Sequence, residues 1–207
     1  MKQNVLFEAY QSWLKQWAVE GRSLWFGTLM FNHLGSNKKV TVAVMQREMQ
    51  RVYVTLLSNI VRNPRNKPGL KLPILIGAPD SPVFKHKPQT RFADLAQNEG
   101  VHYHFILAMP LVSRLQMPLD LHIKDYQHIY VGNQGNVRVV DVRPITDLRK
   151  KIADYMFKHM KRSTYSLDDI LILPATATKK GLTSMDASLT HNVLIQQRSR
   201  RTPTSML

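Results

Sequence analysis

Val101-His-Tyr-His-Phe-Ile-Leu-Ala-Met109 is apolar apart from two histidines, is rich in strand-forming residues and stops at Pro110. It reads as a β-strand. Successive strand side chains point to opposite faces, so His102 and His104 share one face while Tyr103 and Phe105 take the other. A run this apolar belongs near the centre of its domain. Two imidazoles on one face of a rigid strand are half of a metal site. A pair of ordinary hydrogen-bonded histidines is the plain alternative.

The segments before this strand punctuate clearly. Residues 4–20 read as an amphipathic helix with Leu6, Tyr10, Trp13, Leu14 and Trp17 as its packing stripe and Gly21 as its stop. Ser23 to Leu34 is rich in strand formers and bounded by Gly35-Ser36-Asn37, a first strand. Residues 39–62 space Val42, Met45, Met49, Val52, Tyr53, Leu56, Leu57 and Ile60 by threes and fours, which predicts a long helix ending before Pro64. A basic Pro/Gly turn leads to Leu70–Gly77, a second strand running into Ala78-Pro79-Asp80. Residues 81–100 read as a polar loop with a helical turn near Phe92 to Ala96.

After the histidine strand, residues 111–136 look irregular, with Ile129-Tyr130-Val131 as a short strand piece and Gly132-Asn-Gln-Gly135 as a turn. Val137 to Val142 alternates into a strand that Pro144 closes. Thr146-Asp147 caps a helix over 147–161 whose stripe is Leu148, Ile152, Tyr155, Met156 and Met160. Residues 167–173 are a last apolar run. From about 175 the chain is polar, Thr/Ser-rich and basic at Arg198, Arg200 and Arg201. The expectation is one domain over 1–174, a basic and mobile tail over 175–207, and an α+β fold: a mostly antiparallel sheet of about five strands with flanking helices.

Composition narrows the partners. Among 207 residues, 29 Lys and Arg oppose 14 Asp and Glu, a net charge of +15, while 43% of residues are hydrophobic. A chain that apolar folds, and a charge that positive points to a polyanion, most often nucleic acid. A charge set that only confers solubility is the bland alternative. There is no cysteine, which excludes disulfides, thiolate zinc sites and cysteine nucleophiles. The opening residues hold no apolar run long enough for a signal peptide, and polar residues interrupt each later apolar run. A cytoplasmic location with no membrane partner is therefore expected.

A second element joins the histidines. Tyr155 and Lys158 stand at i and i+3 on the predicted last helix, so both can aim at one spot. Tyrosine can act as a covalent nucleophile, but its hydroxyl is weak near its ordinary pKa of about 10 unless a cation assists it. A lysine one turn away and a metal on the neighbouring sheet are such assistance.

In order and type, Phe26-Gly-Thr-Leu-Met-Phe31, His102-Tyr103-His104 and Tyr155-Met-Phe-Lys158 resemble the three motifs of the HUH (His-hydrophobic-His) endonucleases. That superfamily comprises rolling-circle replication initiators, relaxases and single-strand transposases. The resemblance spans about residues 23–161, and its single tyrosine looks like the replication-initiator branch. It implies a five-stranded antiparallel sheet with the HxH pair on a central strand and the tyrosine helix beside it. It also implies Mg²⁺ or Mn²⁺ on the two histidines and a third polar ligand, single-stranded DNA (an origin or hairpin) as substrate, and a 5′-phosphotyrosine intermediate formed by Tyr155 with Lys158 offsetting charge. For the third ligand Asp80 ranks ahead of Glu99, because a residue on an adjacent strand is more rigid than one in a loop. His159 and His33 are further options. Arg62, Arg65, Lys67, Lys85, Lys87, Arg149, Lys150, Lys151, Lys161 and Arg162 are candidates to line a path for the DNA backbone. Trp25 and Tyr103 read as core residues, with base stacking as the alternative. No phosphate-binding loop of the Gly-x-x-x-x-Gly-Lys-Ser/Thr type is present, so a replication initiator of this kind has to borrow a host helicase. Two other readings stand beside this one: a small transposase or mobilisation relaxase, and a non-catalytic, basic nucleic-acid-binding protein.

Overall fold

The computed structural model describes residues 2–35, 37–64, 71–80, 101–132, 135–147, 152 and 165–174. Five strands form one sheet in the order β4-β1-β3-β2-β5, where β1 is Leu24–Phe31, β2 Ile74–Asp80, β3 His102–Ala108, β4 Val137–Pro144 and β5 Leu171–Leu173. Every pairing is antiparallel. With helices on it, the sheet makes an α+β fold, as the sequence predicts, and the histidine strand is its central member.

One face of the sheet carries the larger apolar core. Leu29, Phe31, Leu75, Tyr103, Phe105, Leu107, Val137, Val140 and Val142 pack there against α2 (Lys38–Ile60), α3 (Leu119–Asp125) and α4 (Gln127–Val131). Met45, Met49, Val52, Tyr53, Leu56 and Ile60 form the buried stripe of α2, matching the predicted spacing. Its start is set by Asn37, whose side-chain oxygen accepts from the backbone N–H groups of Lys39 and Val40 and so satisfies two orphan donors of the first turn. The opposite face holds a smaller core of Leu24, Ile74, Ile76, Ala78, Ile106 and Ala108, covered by Tyr10, Leu14 and Trp17 of α1 (Lys2–Val19) and by Tyr165. Because both faces are covered, β2 and β3 are buried along nearly their whole lengths and read as continuous apolar runs.

Glycine makes the larger core possible at two points. A Cβ at Gly27 would lie 2.1 Å from the Phe105 ring, and one at Gly77 would lie 2.5 Å from the Tyr103 ring. Each aromatic of β3 therefore lies across a glycine of a neighbouring strand. The Tyr103 hydroxyl donates to the Gly77 carbonyl at 3.1 Å and lies 3.3 Å from the Asp169 carbonyl, tying β3 to β2 and to the 3-10 turn Leu167–Asp169. Burial pushes the Tyr103 phenol far above its ordinary range, so it stays a neutral donor.

Two expectations are corrected, and the reading of Tyr103 as a core residue is borne out. Residues 111–118 are irregular as expected, but 119–125 and 127–131 are helical, and Ile129-Tyr130-Val131 is helix rather than strand. These short helices gain their stability from burial of Leu119, Ile123 and Tyr130 against the sheet, which overrides the β preference of Ile129 and Val131. The second strand spans 74–80 instead of 70–77. It continues through Pro79 because β5 pairs only with Leu75–Gly77, so the missing N–H of Pro79 falls beyond that ladder. Tyr103, at 0% exposure, is core and presents no face for base stacking. Trp25 packs partly buried against the larger core. The predicted helix over 147–161 lies outside the described residues except for Asp147, which is not helical, and Ile152, which is; the tail over 175–207 lies outside them too.

Candidate metal centre

Strand alternation puts His102, His104, Ile106 and Ala108 on the face of the smaller core. The antiparallel register then decides what they meet. Asp80 pairs with His102 and Ala78 with His104 on β2, while Thr28 pairs with His104 on β1. Ala78 ends at its Cβ, which leaves room for the Asp80 carboxylate to lean diagonally toward His104. Asp80 Oδ2 lies 3.4 Å from His102 Nε2 and 3.1 Å from His104 Nε2, and the two Nε2 atoms are 3.0 Å apart.

Three lone-pair-bearing atoms this close repel one another unless a proton or a cation lies among them. Bonds of about 2.1 Å to a divalent ion, opened at roughly 90–110°, separate ligand atoms by about 3.0–3.4 Å, so the triangle has the dimensions of one face of a coordination sphere. Its donor set, two imidazoles and a hard carboxylate, suits Mn²⁺ or Mg²⁺ and also accepts Zn²⁺ or Ni²⁺. The side chains of Asp80 and His104 are 1% and 6% exposed and that of His102 is 21% exposed, so the triad is solvent-accessible mainly at His102.

The surroundings orient the ligands. His104 packs on the Phe26 ring at 4.9 Å between centroids, and the two imidazoles meet edge to face at 4.4 Å. Thr28 Oγ1 lies 3.1 Å from His104 Nδ1. The Phe26–Phe31 motif thus reaches the centre through Phe26 and Thr28. Thr28 is a residue the sequence reading did not single out, since only the β1–β3 register, across 76 residues, reveals it. A second such residue is Arg138. The β1–β4 register shifts at Met30/Phe31, leaving Arg138 as an extra residue between Val137 and Val139. Its guanidinium approaches the sulfur of Met30 at 3.8 Å, and Met30 is 40% exposed on the histidine face of β1.

Of the residues expected from sequence, Asp80, His102 and His104 come together, and among the described residues they form the cluster with metal-ligand geometry. His33 is exposed and not part of it. Arg62 is exposed, but the end of its helix is tied through the Ile60 carbonyl to the N–H of Arg114, beyond the far end of β3. Tyr155, Lys158, Glu99, Arg65, Lys67, Lys85, Lys87, Arg149, Lys150, Lys151, His159, Lys161 and Arg162 lie outside the described residues. Ile152, three positions before Tyr155, packs against the smaller core, on the triad's face of the sheet. Comparison with protein-family models, curated proteins and solved structures finds no match for this chain. No helix among the described residues is long and apolar enough to cross a membrane.

Proposed function

We propose that this chain is a metal-dependent, site-specific endonuclease and strand transferase for single-stranded DNA, of the HUH type, that starts rolling-circle replication of a plasmid, phage or mobile element. Transposition or mobilisation would use the same chemistry. The observation that carries the reading is the convergence of Asp80 on β2 with His102 and His104 on β3, the central strand of a five-stranded antiparallel sheet. Ile152 packs against the smaller core on the same face of the sheet as the triad. The net charge of +15 suits a polyanionic substrate.

In this reading Asp80, His102 and His104 hold Mg²⁺ or Mn²⁺, which when bound supplies Lewis-acid polarisation of the scissile phosphate. The Tyr155 hydroxyl attacks phosphorus as its proton passes to solvent, and the departing 3′ oxygen takes up a proton from solvent. The bond to the 3′ oxygen breaks, leaving a free 3′-OH and a 5′-phosphotyrosine link, and Lys158 offsets the charge that develops on the phosphoryl oxygens. The reverse reaction with another 3′-OH rejoins the strand. Duplex unwinding would fall to a host helicase.

The test is a covalent adduct. Wild-type protein incubated with a broad pool of labelled single-stranded oligonucleotides and Mn²⁺ should form an SDS-stable protein–DNA species. Tyr155→Phe should abolish it, and His102→Ala should abolish or weaken it. No adduct from the wild type, together with salt-sensitive DNA binding, would replace this reading with that of a non-catalytic nucleic-acid-binding protein.

A further inference from the structure

We infer that Thr28 is a positioning residue for the metal centre: its hydroxyl accepts the Nδ1 proton of His104 and so holds that imidazole in the tautomer whose Nε2 lone pair faces Asp80 and His102. The inference rests on the metal-centre reading above. A neutral imidazole carries one proton on two nitrogens, and a nitrogen that binds a cation must be the bare one. For His104 the nitrogen facing the triad is Nε2, 3.1 Å from Asp80 Oδ2, while Nδ1 faces Thr28 Oγ1 at 3.1 Å. His104 is only 4% exposed, so a proton on Nδ1 is best satisfied by the protein group it faces.

The acceptor is held as rigidly as the imidazole. Thr28 sits on β1, between β3 and β4, directly across from His104 in the β1–β3 register. Its side chain is β-branched, with few rotamers open to it on a strand. The Phe26 ring, two residues earlier on the same face, packs against the same imidazole. Ring plane and tautomer are therefore both set from β1, while the charge of the site comes from β2 through Asp80. The bond from Nδ1 also raises the basicity of Nε2, the usual effect of an outer-shell acceptor on a ligating histidine.

The experiment is a Mn²⁺ titration of metal-free full-length protein, followed by the electron paramagnetic resonance signal of the free ion. Thr28→Val keeps the shape and removes the acceptor. It should weaken Mn²⁺ binding by about 10- to 100-fold. Thr28→Ala, which also lacks the hydroxyl, should repeat the loss, and Thr28→Ser should restore binding to within about threefold of wild type. Melting temperatures of the metal-free variants check that each folds. Equal affinity in wild type and Thr28→Val overturns the inference, as does a loss in Thr28→Ser as large as that in Thr28→Val, because shape rather than the hydroxyl would then matter. Absence of a Mn²⁺ site in the wild type itself overturns the metal-centre reading, and the inference with it.

Discussion

Replacing Gly27 by alanine sets two effects of opposite sign against each other. In a strand that accommodates the methyl group, Gly→Ala stabilises by about 0.4–1 kcal/mol, because the unfolded chain loses freedom. At position 27 the new Cβ would stand 2.1 Å from Cζ of Phe105 and 2.5 Å from its two Cε atoms, against ordinary contact at 3.4–4 Å. The ring has to retreat by more than about 1 Å. It cannot do so freely, since Phe105 is 2% exposed on the central strand, within the larger core. Overpacking of this kind costs about 1–3 kcal/mol. The clash wins, with a net loss of roughly 1–2 kcal/mol and a fall in melting temperature of about 2–8 °C. Calorimetry of the metal-free protein measures it. Phe105→Leu in the Gly27→Ala background should recover at least about 1 kcal/mol relative to the sum of the single changes, because the smaller side chain vacates the position the methyl group needs. Unchanged or higher stability in Gly27→Ala, or strict additivity in the pair, would refute the account of how β1 and β3 fit together.

Two further outcomes follow from particular side chains. Burial lowers the pKa of His122, with Asp125 opposing, and its Nε2 shares a 2.8 Å hydrogen bond with the Tyr130 hydroxyl. Below the ordinary value of 6.5 the unfolded chain takes up a proton that the folded chain resists. His122 thus contributes stability in full above that value and loses it as the pH falls. Urea unfolding from pH 7 to pH 5 should show a steeper loss in wild type than in His122→Gln, and parallel curves would contradict this. Arg138, carried onto the histidine face by the bulge in β4, should contact the DNA backbone. Arg138→Ala should reduce the slope of log K against log salt for single-stranded DNA by about 0.7, and an unchanged slope would exclude that contact.

The parts of the fold legible in the sequence are those with long or sharply bounded patterns. The α2 stripe runs over many turns, β1 and β4 end at clear breakers, and the apolar flanks of His102 and His104 mark a central strand. Asp80 was within reach of sequence reasoning, because it closes the strand immediately before the one bearing the histidines. Its exact partner was not, since a shift of one residue in register turns a side chain to the other face. The same limit hid Thr28, whose role exists only through the pairing of β1 with β3. It also hid Arg138, which reaches the histidine face through a bulge that β4 does not advertise. The two short helices after β3 were illegible for a different reason. Five and seven residues are too few to show a period, and Ile129 and Val131 favour strands until burial against the sheet decides otherwise.

The central claim is that Asp80, His102 and His104 form a divalent-metal centre, and replacing the carboxylate by an amide of the same shape tests it most directly. A Mn²⁺ titration should find one site per chain in wild type and an affinity at least about tenfold weaker in Asp80→Asn. The metal-free Asp80→Asn protein should still unfold in one cooperative transition, which separates loss of the site from loss of the fold. Equal Mn²⁺ affinity in the two proteins, or no stoichiometric site in the wild type, would contradict the account.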